Sequence, residues 1–234
     1  CKVQILTGGR GMERTRLADR KLPDYTRGED IANMVTHIVG GAIGITALIL
    51  ALIKSVCAKD IYGVVCGIVY GLSMTALYAV SSVYHGLHPG MGKKVMQVID
   101  HCTIYFMITG TYTPILLCSI RPEHPVVAWS LFAAEWGLAA FACVFTAIDH
   151  RKYRVLSMIC YILMGWCIMF ALKQTVQTIG RTAFMWLLWG GIAYTLGAVL
   201  YGIGSKKRYF HTVFHIFVDI GSLLQAVCVL GYVL

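Results

Sequence analysis

Charge is scarce in this chain: 13% of its residues are Asp, Glu, Lys or Arg, and acid is scarcer than base, with 11 carboxylates against 20 Lys and Arg. With 58% hydrophobic residues in a chain of 234 and a mean hydropathy of +0.70, there is more apolar surface than a soluble domain of this size can bury. The chain is therefore expected to be an integral membrane protein. Strands of about 10 residues with alternating polarity are missing, and continuous apolar runs such as 43–53 and 126–134 argue against a β-barrel. None of the nine cysteines forms a C-x-x-C pair, which removes the usual signature of a zinc knuckle or disulfide framework. Most lie in apolar segments and read as small membrane hydrophobes. The formal charge of +9 comes without any basic motif interleaved with aromatics, so nucleic acid is not an expected partner and the charge is better explained by topology.

What is present is a polar, basic stretch over 1–32 without the apolar core of a signal peptide, followed by apolar segments long enough to cross a bilayer. The expected spans are 33–53, 62–85, 98–119, 126–148, 155–172, 183–203 and 211–234. Thr26 or Asp30 is placed to cap the first helix. The reading is an all-α bundle of seven transmembrane helices over 33–234, with short connections and antiparallel sequential neighbours. The tail and the connections after the second, fourth and sixth spans hold fifteen of the 20 Lys and Arg, among them Lys93, Lys94, Arg151, Lys152, Lys207 and Arg208. The opposite connections hold Lys54, Lys59, Arg121, Lys173 and Arg181. By the positive-inside rule the N-terminal tail is cytoplasmic and the C-terminus external.

His211 and His215 open the last span four residues apart, on one helical face, and form a ligand pair in need of a third. Taken alone, the pair fits a headgroup-level histidine and a packing histidine equally well. The seven-span topology adds company: Ser81 and His85 end the second span, Asp100 lies at the start of the third, and Glu29, Asn33 and His37 recur every fourth residue at the first. All fall at one depth, near the cytoplasmic face. Histidines on facing helices with a carboxylate beside them have the composition of a catalytic zinc site, although iron, nickel or copper also accept imidazole. His88 and His150 read as loop residues, His101 as a packing or orienting residue, Pro114 as a kink, and Glu135 and Asp219 as polar residues of open role.

The sets Glu29-x3-Asn33-x3-His37, Ser81-x3-His85, Asp100 through Pro114, and His211-x3-His215 resemble the hemolysin III family, within the superfamily of progestin and adipoQ receptors and related to alkaline ceramidases. The resemblance covers 28–234. It implies a seven-helix bundle with a cytoplasmic N-terminus and a zinc ion held by His85, His211 and His215. It also implies Asp100 acting through a zinc-held water and Ser81 nearby, with Glu29, Asn33 and His37 in outer or structural roles. The short tail is more similar to the bacterial branch, which implies a bacterial plasma membrane, while related eukaryotic organelle proteins stay open.

Three functions follow as expectations. The first is a zinc-dependent hydrolase of a ceramide-like amide or ester lipid that enters laterally, with Asp100 as base and Ser81 on the oxyanion. The second is a metal-stabilised receptor or membrane-state sensor. The third is a cytolysin or pore, for which the residues offer little, since no span reads as a polar stripe along its full length. The protein partners are not legible.

Overall fold

The computed structural model describes residues 15–204 and 207–234. After a single 3-10 turn at Leu17–Asp19, it consists of α1 (Arg27–Cys57), α2 (Ile61–Gly86), α3 (Met91–Pro114), α4 (Pro125–Asp149), α5 (Arg154–Gly165), α6 (Leu172–Gly204) and α7 (Phe210–Cys228). No strand occurs among the described residues. Their outer faces are apolar and exposed, as at Ile38, Ile49, Leu72, Phe141, Leu163 and Leu196. Among the described residues six helical stretches are long and apolar enough to cross a membrane, and the protein is an integral membrane protein.

Local chemistry sets the helix ends. Thr26 and Glu29 form a capping box, Glu29 N donating to Thr26 Oγ1 (3.3 Å) and Thr26 N to Glu29 Oε2 (2.8 Å). Helix α1 therefore starts at Arg27, six residues before the expected boundary at 33. Asp60 accepts from Tyr62 N (3.0 Å) at the start of α2, and Pro125 occupies the first turn of α4, where its missing N–H is not needed. Pro114 marks the point where α3 gives way to a π-helical turn, Ile115–Ile120; a second π turn, Val229–Val233, extends α7.

The fifth and sixth expected spans lie in one helical stretch of 50 residues, Arg154–Ile203. A 3-10 segment, Cys167–Ala171, interrupts it first. The connection expected between 172 and 183 is helical up to 179, and the chain departs from helical geometry at Gly180 (φ 81°, ψ 162°). Those angles belong to a region open essentially to glycine alone.

Helices α1 and α2 pack closely: a Cβ on Gly71 would lie 2.6 Å from Leu48 Cα, so only glycine permits this approach. The main core gathers Tyr70, Met74, Tyr78, Tyr112, Ile115, Leu116, Phe184 and Val229, and a smaller cluster joins Tyr105, Ala139, Cys160 and Met164. Cross-helix bonds show which ends meet. Lys93 near the start of α3 reaches Asp30 of α1, Tyr209 before α7 reaches Glu29, and His85 at the end of α2 meets both α1 and α7. At the opposite end Lys54 donates to Leu230 O, and the Arg121 guanidinium lies 3.6 Å from the Tyr62 ring centroid.

Candidate metal centre

The three histidines expected to hold a metal come together. One ring nitrogen from each of His85, His211 and His215 lies within 4.8 Å of the others, and His211 Nε2 is 3.1 Å from His215 Nε2. Helix α1 runs alongside and fixes how two of the rings point. His85 Nδ1 lies 3.1 Å from Asp30 Oδ1, with Asn33 Nδ2 at 3.5 Å; His215 Nδ1 lies 3.2 Å from the Asn33 carbonyl. An Nδ1–H donated to each of these oxygens leaves the Nε2 lone pair free on both rings. His85 Nε2 is wholly buried with no hydrogen-bond partner, a costly state for a polar atom unless something accepts it.

These donors fit a divalent cation. Nitrogens at a zinc bond length of about 2.0–2.1 Å and a tetrahedral angle sit about 3.3 Å apart, close to the spacing of the α7 pair. Asp30 Oδ2 in turn accepts from Lys93 Nζ (2.6 Å), and the lysine is 4% exposed. The result is the carboxylate–histidine arrangement that commonly orients a ligating imidazole. The residues present can hold a metal ion.

Asn33 also accepts from Thr212 Oγ1 (2.6 Å) through its side chain. His37 stacks on His215 at 3.6 Å between centroids, and neither of its ring nitrogens has a partner. Glu29 does not touch the three histidines; its carboxylate closes the α1 cap and accepts from Tyr209 N (2.8 Å), where Tyr209 turns the chain into α7 with φ 61°. Asp100 stands outside the tight nitrogen cluster but within electrostatic reach of His85 and close to Ser81. Ser81 is 1% exposed, and its hydroxyl has no partner within hydrogen-bond geometry.

Sequence reasoning missed two residues. Asp30, considered only as a helix cap, is the carboxylate on His85. Tyr25, ahead of α1, stacks on His211 with centroids 5.2 Å apart and an interplanar angle of 15°; nothing in its local sequence signals this. Other expectations need revision. His150 is not a solvated turn residue: it is 7% exposed and lies 3.4 Å from the Arg20 guanidinium. One face of α7 is more polar than expected, since Ser222 Oγ meets both Tyr78 and Tyr194 hydroxyls and Gln225 is buried further along. His88 is an exposed loop residue as expected. Glu135 is 3% exposed with Oε2 unpartnered, and Asp219 Oδ1 also lacks a partner.

The sequence profile of the family described as "Haemolysin-III related" matches residues 25–226, a segment that contains every residue of the centre. The chain is 38% identical over 206 residues to Hemolysin-3 of Bacillus cereus, covering 88% of this chain and 92% of that protein. It is 33% identical over 208 residues to the Hemolysin-3 homolog of Bacillus subtilis (strain 168), covering 89% and 96%. A human protein, the monocyte to macrophage differentiation factor, is 27% identical over 216 residues, or 87% and 84% of the two chains. With its histidine motifs, its helical bundle and these relatives in agreement, the chain belongs to the haemolysin-III related family.

Proposed function

We propose that the protein is a zinc-dependent hydrolase of an amide or ester lipid, with seven membrane crossings and its metal centre near the cytoplasmic face of a bacterial plasma membrane. The observation that carries the reading is the juxtaposition of three imidazoles on one centre with the Asp100 carboxylate and the buried Ser81 hydroxyl beside it. A structural site needs a fourth ligand to close it, whereas a catalytic one leaves a position open. Here the nearby carboxylate stands outside the nitrogen cluster. His85, His211 and His215 would hold zinc, which supplies Lewis acidity towards a water and a carbonyl. Asp100 takes the proton of the attacking water on its carboxylate. Ser81 donates its hydroxyl to the oxygen that gains charge. Asp30 and the Asn33 carbonyl hold two of the imidazoles in register. A lipid substrate suits a centre buried in a bundle whose outer faces are apolar.

The test is turnover by purified, zinc-loaded protein of a panel of acyl amides and esters that includes ceramides. Asp100→Asn should keep most of the bound zinc and lose turnover, by at least the roughly hundredfold typical of a general base. A zinc-loaded wild type that hydrolyses nothing on the panel would sink the hydrolase. The reading then becomes a metal-stabilised receptor or membrane-state sensor, which the junction of α2 with α7 through shared ligands also suits.

A further inference from the structure

The residues that lead into α1 do not trail away from the bundle. Arg20 is 2% exposed; its Nη2 donates to the Ile148 carbonyl (2.6 Å) and its Nη1 lies 3.4 Å from His150 Nδ1. Thr15 N donates to Asp149 Oδ2 (3.1 Å), and Lys94 Nζ donates to the Ala18 carbonyl. At its other end the segment is tied by the Thr26 and Glu29 cap, which also holds Tyr209. The stretch is thus fastened to α4, α3 and the α1–α7 junction. Between these fastenings Tyr25 lays its ring on His211 and lies 5.8 Å from the ring of His85.

We propose that residues 15–26 form a strap that seals the metal centre from the aqueous phase, with Tyr25 as the plug over His211 and His85 and Arg20 as the lock. The proposal rests on the metal reading above. Its physical basis is that ligand exchange requires water or a competing ligand to approach the imidazoles, and a stacked aromatic ring occupies that approach. The lock works because a buried guanidinium is tolerated only while its donors are satisfied. One acceptor of Arg20, the Thr15 carbonyl, lies within the strap itself, but the Ile148 carbonyl and His150 belong to the end of α4, so its two Nη groups are satisfied there only in the docked state. Lifting Tyr25 and releasing Arg20 are therefore parts of one opening, and the metal exchanges at the rate that opening allows.

Zinc-loaded protein, its metal content first established by elemental analysis, is mixed with a water-soluble chromogenic chelator and the release rate recorded. Tyr25→Phe, which keeps the ring, should release zinc like the wild type. Tyr25→Ala and Arg20→Gln should release it faster by about twofold to tenfold, the range an aromatic contact is worth, from an unchanged starting content. Should Tyr25→Ala fail to fold, Arg20→Gln carries the comparison with the ring still present. A wild type that holds zinc but releases it as fast as both variants overturns the strap and leaves the metal centre standing. A wild type that holds no metal overturns both.

Discussion

At the residue scale the centre shows why neighbouring carboxylates can differ in role. Glu29 and Asp30 are both buried in the first turn of α1, yet Glu29 folds back to close the cap while Asp30 faces His85 and Lys93. Loss of an outer carboxylate typically costs a metal site about 10- to 100-fold in affinity. Asp30→Asn should therefore weaken zinc binding by about that factor in an equilibrium competition with a chelator. Glu29→Ala should leave the affinity near wild type and instead lower thermal stability, by about 1 kcal/mol for a lost cap. Equal affinities for wild type and Asp30→Asn would remove Asp30 from the centre. The three clustered histidines were legible because spacing on a helix and depth in a bundle both follow from counting residues. Asp30 was not, because adjacent residues on a helix differ by about 100° in direction, and which one faces inward depends on how the cap sets the start of the helix.

At the scale of elements, helix existence was legible and helix limits were not. Nothing between Lys173 and Ile179 opposes helix, so a stretch expected as a connection continues the helix until Gly180 interrupts it. Gly180→Ala forces a side chain into φ 81°, ψ 162° and should cost about 1–3 kcal/mol, read as a lower unfolding midpoint in detergent. Gly191, helical with open space where a Cβ would go, should accept alanine without loss. If Gly180→Ala is equally harmless, that backbone is not what turns the chain. The end of α4 offers a second test. Burial first, then His101 and Arg20, lowers the His150 pKa from 6.5 to about 4. The folded form then binds fewer protons than the unfolded one between those values, so stability rises with pH from about 4 to 6.5 and is lost as pH falls. The contribution of this one group is on the order of 3 kcal/mol. His150→Gln should flatten the acid limb of a midpoint-against-pH profile; an unchanged limb would mean that this histidine does not govern it.

At the scale of the whole molecule the question is how many times the chain crosses and which way it faces. A straight helix of 50 residues would be about 75 Å long, more than twice the roughly 30 Å of a hydrocarbon core. The Arg154–Ile203 stretch is therefore longer than one crossing needs, and the break at Gly180 divides it into two pieces of spanning length; the proposed seven crossings, with termini on opposite sides, require that each piece crosses once. The contacts agree with alternating directions: the starts of α1, α3 and α7 meet the ends of α2 and α4 around the histidines, while Lys54 and Arg121 mark the other end. The tail and the connections after the second, fourth and sixth expected spans hold fifteen of the 20 Lys and Arg, and the positive-inside rule is the ground for proposing that side as cytoplasmic. Reporter fusions after Arg154 and Lys207 should read cytoplasmic, and one after Gly180 external. A cytoplasmic signal at Gly180 would mean that the long stretch does not cross twice. Reversal of all three would keep the seven crossings but place the histidines at the outer face, where the strap over Tyr25 would seal them from the exterior instead of the cytosol.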